Sequence, residues 1–124
     1  MADQFGVLRL DLKTGNSAEV DPGAHSTLAG VDGLYWHKGS LLAVQNGIGS
    51  PRIALFQLTK DGRRISKTTV LEYRSNFTVL PTTGAISGDD FYFIANSQLD
   101  NLNGEHILDP TKLEPVRIGV LRLP

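Results

Sequence analysis

The stretch from Gly30 to Asn46, GVDGLYWHKGSLLAVQN, decides the fold of this chain. It opens with a turn tripeptide at 31–33 and continues as a predicted strand over Leu34–Trp36. A tight turn at Lys38-Gly39 leads into a nearly continuous apolar strand over Leu41–Val44. Short apolar runs separated by turn residues are typical of antiparallel β-strands. The stretch therefore predicts a β-hairpin that ends at Asn46.

The same pattern returns 50 residues later in the chain. Residues 38–46 (KGSLLAVQN) align without a gap on residues 88–96 (GDDFYFIAN), and Gly84–Ile86 corresponds to the first strand of the hairpin. Residues 6–10 and 119–123 both read GVLRL, and the pair Arg-Ile occurs at 52–53 and again at 117–118. Short strands that recur at such a period are typical of propellers and related arrays. The chain is therefore predicted to be a repeat protein.

The repeats predict a strand order. If each unit is a four-stranded blade with strands A to D from the inside outward, the chain reads C-D, A-B-C-D, A-B-C. This order predicts an all-β fold of antiparallel four-stranded blades and a single partial β-propeller domain over residues 1–124. Residues 1–29 would form the outer strands of one blade, 30–74 a complete blade and 75–124 a last blade.

The strand count predicts an incomplete ring of about two blades, whereas closed propellers have roughly four to eight. Incomplete rings expose apolar faces and unpaired edges. We therefore expect the chain to be part of a longer product, which is the favoured alternative, or to complete a ring by self-association.

Composition narrows the range of partners. The net charge of −1 gives no reason to expect nucleic acid or an anionic membrane as a partner. The chain has no cysteine, which excludes disulfides and thiolate metal sites but leaves the cellular compartment open. No apolar segment is long enough to span a bilayer, and the N-terminus carries no signal-peptide pattern. Cytoplasmic and periplasmic or secreted locations both stay open.

Topology predicts where functional residues gather. In a meandering blade the D–A and B–C connections emerge on the same face, and polar side chains occur in these connections at Asp32, Asn46, Thr82, Thr83, Asn96 and Gln98. Short side chains with oxygen atoms are the ligands that calcium and magnesium prefer. Each also has a structural alternative, since Asp-Gly and Asn-Gly favour turns and threonine can cap a strand.

The stretch from Gly30 to Leu34, together with Lys38–Val44, Asn46-Gly47, Arg52–Leu58 and Asp61-Gly62, resembles one blade of the gluconolactonase/regucalcin family. More broadly it resembles the six-bladed calcium-dependent propellers that include strictosidine-synthase-like and NHL-type proteins. In the lactonase family a Pro-Asp-Gly sequence opens a late blade, and its aspartate binds the catalytic divalent metal. Asp32 matches that aspartate, whereas Val31 replaces the usual proline.

The resemblance implies a function for a full-length parent protein. That protein would be a hydrolase of lactones or similar small esters that depends on a calcium-type divalent metal, with Asp32 as the catalytic and metal-binding residue. The other metal ligands of the family lie in blades that this chain lacks, so the isolated chain is expected to be inactive. The alternative is a non-catalytic propeller that binds a protein or a small ligand at its loop face.

Two further expectations concern loops. Residues 98–114 form a connection about 15 residues longer than its counterpart after Asn46, and long loops in compact domains are often functional. We expect this loop to be a lid or rim with one helical turn near Pro110, anchored by apolar residues at Leu99, Leu102, Ile107, Leu108 and Leu113. Asp61-Gly62 predicts a type I′ hairpin turn.

Overall fold

The chain folds into antiparallel β-sheets joined mostly by short turns. The computed structural model describes residues 1–2 and 5–124. The strands are β1 (Leu8–Leu10), β2 (Ser17–Glu19), β3 (Val31–His37), β4 (Ser40–Gln45), β5 (Arg52–Leu58), β6 (Ile65–Tyr73), β7 (Gly84–Ser87), β8 (Asp90–Ile94), β9 (Leu102–Asn103), β10 (His106–Ile107) and β11 (Ile118–Arg122). Single 3-10 turns lie at Leu99–Asn101 and Pro110–Lys112. The prediction of an all-β antiparallel fold is confirmed.

Three main sheets follow the three predicted segments. A two-stranded sheet (β1-β2) lies within residues 1–29, a four-stranded sheet (β3-β4-β5-β6) within 30–74, and a three-stranded sheet (order β11-β8-β7) within 75–124. The hairpin β9-β10 lies inside the long loop. Strand ends differ slightly from the prediction. β3 runs from Val31 to His37 rather than from Leu34 to Trp36, and β4 runs from Ser40 to Gln45 rather than from Leu41 to Val44.

The four-stranded sheet is covered on both faces. On one face Leu42, Val44, Ile53 and Leu55 pack in a core with Phe91, Phe93 and Leu123 of the three-stranded segment. On the other face Ala43, Ala54 and Phe56 pack in a second core with Val7 and Val20 of the two-stranded segment. Strands that are buried on both faces read as continuous apolar runs rather than as an alternation. This double burial explains the apolar sequences of β4 and β5.

Two turn predictions differ in detail from the structure. Gly62 has a positive φ of 67°, but Asp61 does not, so the turn between β5 and β6 is not type I′. The side chain of Asp61 instead accepts hydrogen bonds from Thr59 Oγ1 and from the amide of Arg63. Positive φ at both central residues, which type I′ requires, occurs at Lys38 (43°) and Gly39 (83°).

The predicted acidic turn at 31–33 is wrong. Val31, Asp32 and Gly33 belong to β3, and the pairing register with β4 shifts between Val31 and Gly33. Such a bulge inserts one unpaired residue into a strand and redirects its side chain. Asp32 therefore sits on a strand of the largest sheet, not on a loop tip.

Gln45 holds the segment that precedes β3. Its side chain is fully buried, and Nε2 donates hydrogen bonds to the carbonyl oxygens of Thr27 (3.1 Å) and Ala29 (2.7 Å). Arg52 Nε donates to Gln45 Oε1 at 2.8 Å. Burial lowers the pKa of the Arg52 guanidinium. A buried amide with all of these partners fixes the path of the chain into β3.

Candidate functional site

Asp32 forms a polar cluster with two residues from other segments. Asp32 Oδ2 accepts a hydrogen bond from Asn46 Nδ2 at 2.9 Å and another from the hydroxyl of Thr82. Asn46 Nδ2 also donates to the carbonyl oxygen of Pro81 at 2.9 Å. We call Asp32, Asn46 and Thr82 the Asp32 cluster. It joins β3, the end of β4 and the segment before β7, as the topology predicts.

A close backbone approach positions Asn46 beside Asp32. The carbonyl oxygen of Gly30 accepts from the amides of Asn46 (3.1 Å) and Gly47 (3.3 Å). A Cβ on Gly30 would lie 2.8 Å from the carbonyl carbon of Gly47, and Gly30 has a positive φ of 65°. Only glycine combines that backbone conformation with that spacing. Gly30 and Gly47 therefore set the distance between the two side chains of the cluster.

The carboxylate of Asp32 has one oxygen directed away from these donors. Within the described residues, no hydrogen bond reaches Asp32 Oδ1. The Asp32 residue is exposed, and Asn46 and Thr82 are half-buried. A carboxylate fixed at one oxygen by two donors can bind a cation, or accept a proton, at the other. The cluster is thus a preorganised acceptor site with a single negative charge.

Thr83 makes a separate contact with β3. Tyr35 Oη lies 3.2 Å from Thr83 Oγ1 and accepts from the amide of Gly84 at 2.7 Å. The Tyr35 ring packs on Phe91 with centroids 5.0 Å apart. Thr82 and Thr83 consequently bind Asp32 and Tyr35, respectively, and together they join the four-stranded sheet to the three-stranded one.

Asn96 and Gln98 lie at the base of the long loop. Asn96 is buried, its Nδ2 donates to the carbonyl of Pro115 (3.0 Å), and its Oδ1 accepts from the amide of Arg117 (2.6 Å). Gln98 exchanges two hydrogen bonds with the backbone of Glu114. Among the described residues, no hydrogen bond joins either side chain to the Asp32 cluster. The oxygen and the nitrogen of each side-chain amide therefore both form hydrogen bonds that close the base of the loop.

The long loop lines a cavity of about 400 Å³. Its walls include Val79, Leu80, Asn96, Gln98, Asp100, Leu108, Asp109, Lys112 and Arg117. Leu80 lines the cavity, while the next two residues, Pro81 and Thr82, contact the Asp32 cluster. The segment 80–82 therefore separates the cavity from the cluster.

The prediction that five apolar residues anchor the loop is wrong. Leu99, Leu102, Ile107, Leu108 and Leu113 are each exposed by 40–61%. The loop is held instead by polar contacts, such as those of Asn101 with the backbone of Asp109. The predicted helical turn near Pro110 is present, and the side chain of Asp109 accepts from the amide of Thr111. These hydrogen bonds shape the loop without burying its leucines.

The oxygen atoms of the Asp32 cluster suit a hard cation but supply only part of a coordination shell. Calcium takes roughly six to eight oxygen ligands. In the part of the chain that the structure describes, no group of three or more His, Cys, Asp or Glu could hold a metal ion. Any such ion would need ligands in addition to those that the described residues bring together at the cluster.

Comparisons with known proteins do not assign the chain to a family. No protein-family model matches it, and no curated protein or solved structure matches it. Among residues 1–2 and 5–124, no helix is both long enough and apolar enough to cross a membrane.

The sequence pattern did not reveal three members of the site's surroundings. Gly30 and the carbonyl of Pro81 position the cluster, and Tyr35 positions the adjacent residues Thr83 and Gly84, yet each resembles ordinary turn or strand residues in the sequence. The sequence feature that could have indicated this arrangement is the pair Gly30 and Gly47, because glycines on both sides of a hairpin often mark a close backbone approach.

Proposed function

We propose that the chain forms consecutive blades of a β-propeller similar to the gluconolactonase/regucalcin family, and that the Asp32 cluster is part of its ligand site. In a full-length parent, this site would belong to a divalent-metal-dependent hydrolase of lactones or similar small esters. The observation that carries the proposal is the carboxylate of Asp32, which two donors orient at Oδ2 and which presents Oδ1 without a partner in the described residues.

The roles of the residues follow from this geometry. Asp32 Oδ1 would bind a calcium-type cation or accept a proton from the attacking water. Asn46 and Thr82 would hold the carboxylate in one orientation, so that little side-chain motion has to be frozen during the reaction. A bound divalent cation would polarise the ester carbonyl as a Lewis acid.

The proposal assigns the remaining ligands to other polypeptide, because this chain contributes one carboxylate at the cluster. The chain alone is then expected to bind a divalent ion weakly and to hydrolyse lactones slowly or not at all. Dissociation constants of roughly 10⁻⁴–10⁻³ M are found even for complete but weak extracellular calcium sites. We therefore expect a dissociation constant in the millimolar range for the Asp32 cluster of this chain.

A second candidate is a non-catalytic propeller that binds a small polar ligand or a protein at this face. Its support is that no group of three or more His, Cys, Asp or Glu among the described residues could hold a metal ion. Two donors already neutralise part of its charge. An oriented carboxylate of this kind can recognise a ligand's hydroxyl or amine without any catalytic step.

Titration with a divalent ion tests the metal proposal. We expect calcium at millimolar concentration to shift the NMR amide signals of residues 30–33, 46–47 and 82 in the wild-type chain. Asp32→Asn should abolish these shifts. Because asparagine is nearly isosteric with aspartate, the hydrogen-bond geometry of the cluster should be kept. Asp11→Asn removes the same charge at an exposed turn and should leave them intact. Equal shifts in wild type and Asp32→Asn would refute the metal site.

Lactone hydrolysis distinguishes the two candidates. In a longer protein that contains this chain, proton release from a δ-lactone, measured with added calcium, should exceed the uncatalysed rate and depend on Asp32 if the site is that of a hydrolase. Binding of sugar-like ligands without turnover, lost in Asp32→Asn, would favour the non-catalytic candidate.

A further inference from the structure

The three-stranded sheet leaves one apolar face open. Tyr92 pairs with Val120, and Ile94 pairs with Ile118, across β8 and β11. Tyr92, Ile118 and Val120 are exposed by 42%, 54% and 54%, and Ile94 is half-buried. Because these residues are direct cross-strand neighbours, they form one continuous patch. We call these four residues the tail face.

The internal repeat identifies what this face corresponds to. By the alignment of residues 38–46 with 88–96 and of Arg52-Ile53 with Arg117-Ile118, the tail-face residues are equivalent to Leu42, Val44, Ile53 and Leu55 of the four-stranded sheet. Those four are exposed by 0–5%. The tail face therefore has the sequence positions of a buried interface between two sheets.

The structure also shows what covers that interface in the four-stranded sheet. The covering side includes Leu123, exposed by 3%, and Leu121, which packs against the same core. Both belong to the GVLRL segment at 119–123. The last two leucines of that pentapeptide therefore supply part of one half of this sheet-to-sheet contact, together with Phe91 and Phe93.

The same pentapeptide occurs at 6–10, where the second of its leucines is uncovered. Leu8 and Leu10 are equivalent to Leu121 and Leu123. Leu10 is exposed by 49%, and Leu8 is half-buried. Val7, which lies between Gly6 and Leu8, packs on the four-stranded sheet. It does so on the side of the strand opposite to Leu8 and Leu10, as the repeat predicts. We call Leu8 and Leu10 the head face.

We infer that a second copy of this chain binds head to tail, with its Leu8 and Leu10 on Tyr92, Ile94, Ile118 and Val120 of the first. Equivalents of both faces already meet inside one chain, between the four-stranded and three-stranded sheets, where Phe91 and Phe93 complete the contact. The head and tail faces differ, so the contact is heterologous and can continue from copy to copy until a ring closes. This inference is independent of the proposed hydrolase activity.

The interface is expected to be weak. Only two strands form the head sheet, whereas stable interfaces bury roughly 800 Å² on each partner. We expect a dissociation constant on the order of 10⁻⁵ to 10⁻⁴ M, which is weaker than the roughly micromolar to picomolar values of interfaces of standard size. Measurements should therefore extend to high protein concentration.

Complementation of two blocked variants tests the inference. Leu10→Glu blocks the head, and Ile118→Glu with Val120→Glu blocks the tail, at positions already half exposed. By sedimentation or light scattering in the presence of a chelator, the wild type should grow in mass with concentration. Each variant alone should stay monomeric, and a one-to-one mixture should reach twice the monomer mass and stop there.

Several results would overturn the inference. A wild type that stays monomeric throughout would do so, as would a mixture of the variants that stays monomeric. Growth that survives the head block but not the tail block would mean that tail faces pair with each other, and growth that survives both would indicate pairing through strand edges. The chelator separates these outcomes from any metal effect at Asp32.

A label keeps the inference testable if a variant fails to fold. The chain has no cysteine, so Ser17→Cys carries a spin label at one position only. Ser17 pairs with Leu10 in the head sheet. Mixed with an isotope-labelled wild-type chain, it should broaden the amide signals of residues 92 and 118–120. Broadening confined to other surfaces would contradict the head-to-tail contact.

Discussion

Single glycines set how closely the sheets and strands approach. An added Cβ at Gly119 would overlap Cζ and Cε1 of Phe93, which lies in the core between the two larger sheets. At Gly6, which occupies the same position of the repeated pentapeptide, a Cβ meets no described atom within 4 Å. The repeat thus provides two identical local sequences in different packing environments.

We predict that Gly119→Ala lowers the free energy of unfolding by about 1–3 kcal/mol, because overpacking forces a buried ring from its position. Gly6→Ala is the matched control and should be neutral or slightly stabilising, since alanine restricts the unfolded chain. Urea denaturation of both variants measures the difference. Similar effects at the two positions would contradict the packing of Phe93 against Gly119.

An ion pair joins two hairpin turns that belong to neighbouring sheets. Lys38 Nζ lies 2.8 Å from Asp89 Oδ1, and Arg122 Nη2 lies 3.7 Å from Asp89 Oδ2. The hydrogen bond from Lys38, followed by the Coulomb attraction of Lys38 and then of Arg122, lowers the pKa of Asp89 below its usual value. Lys38 and Asp89 lie in turns that the internal alignment places on each other.

We predict that the Lys38–Asp89 coupling is present above about pH 4, near the usual aspartate pKa, and is lost as the pH falls through the lowered pKa of folded Asp89. The sign follows because a carboxyl group with a lowered folded pKa stabilises the fold only while ionised. A double-mutant cycle with Lys38→Met and Asp89→Asn, measured by denaturation at pH 7 and pH 2, isolates this coupling.

High salt should weaken the same coupling at pH 7, because the pair is exposed and the Debye length of about 3 Å at 1 M salt is comparable with the 2.8 Å that separates Lys38 Nζ from Asp89 Oδ1. A coupling energy that stays equal at pH 2 and pH 7 would show that the two side chains interact through packing rather than through charge.

The molecule as a whole is a stack in which the four-stranded sheet lies between two smaller ones. Phe91 and Tyr92 are neighbours on β8 that lie on opposite faces of their sheet. Phe91 is fully buried in the core against the four-stranded sheet, whereas Tyr92 is 42% exposed on the tail face. Because of this stacking, Phe91 is expected to contribute more to the free energy of unfolding than Tyr92, although the two side chains are similar in size.

We predict that Phe91→Ala costs about 3–5 kcal/mol of unfolding free energy, as for other large buried residues that leave a cavity. Tyr92→Ala should cost less than about 1 kcal/mol when measured on dilute monomer, since exposed sites rarely contribute more. Chemical denaturation followed by circular dichroism provides both values. Equal costs would mean that the three-stranded sheet does not pack on the four-stranded sheet through Phe91.

The sequence alone determined the strand order of the three main sheets, but it did not predict the hairpin β9-β10 inside the long loop. Turn dipeptides and apolar runs are local signals, and the repeated segments 38–46 and 119–123 set the register between units. The sequence also placed Asp32, Asn46 and Thr82 near one another, because strand order dictates which connections share an edge. The predicted propeller, metal and hydrolase function stay predictions.

Only the tertiary structure decided which of the six candidate side chains meet. Asp32 lies on a bulged strand rather than in a turn. Asn96, although it aligns with Asn46, binds the backbone of its own long loop. Identical pentapeptides likewise have one leucine buried at 123 and its equivalent exposed at 10. Contacts of this kind depend on which sheet packs against the segment, and the local sequence does not specify that sheet.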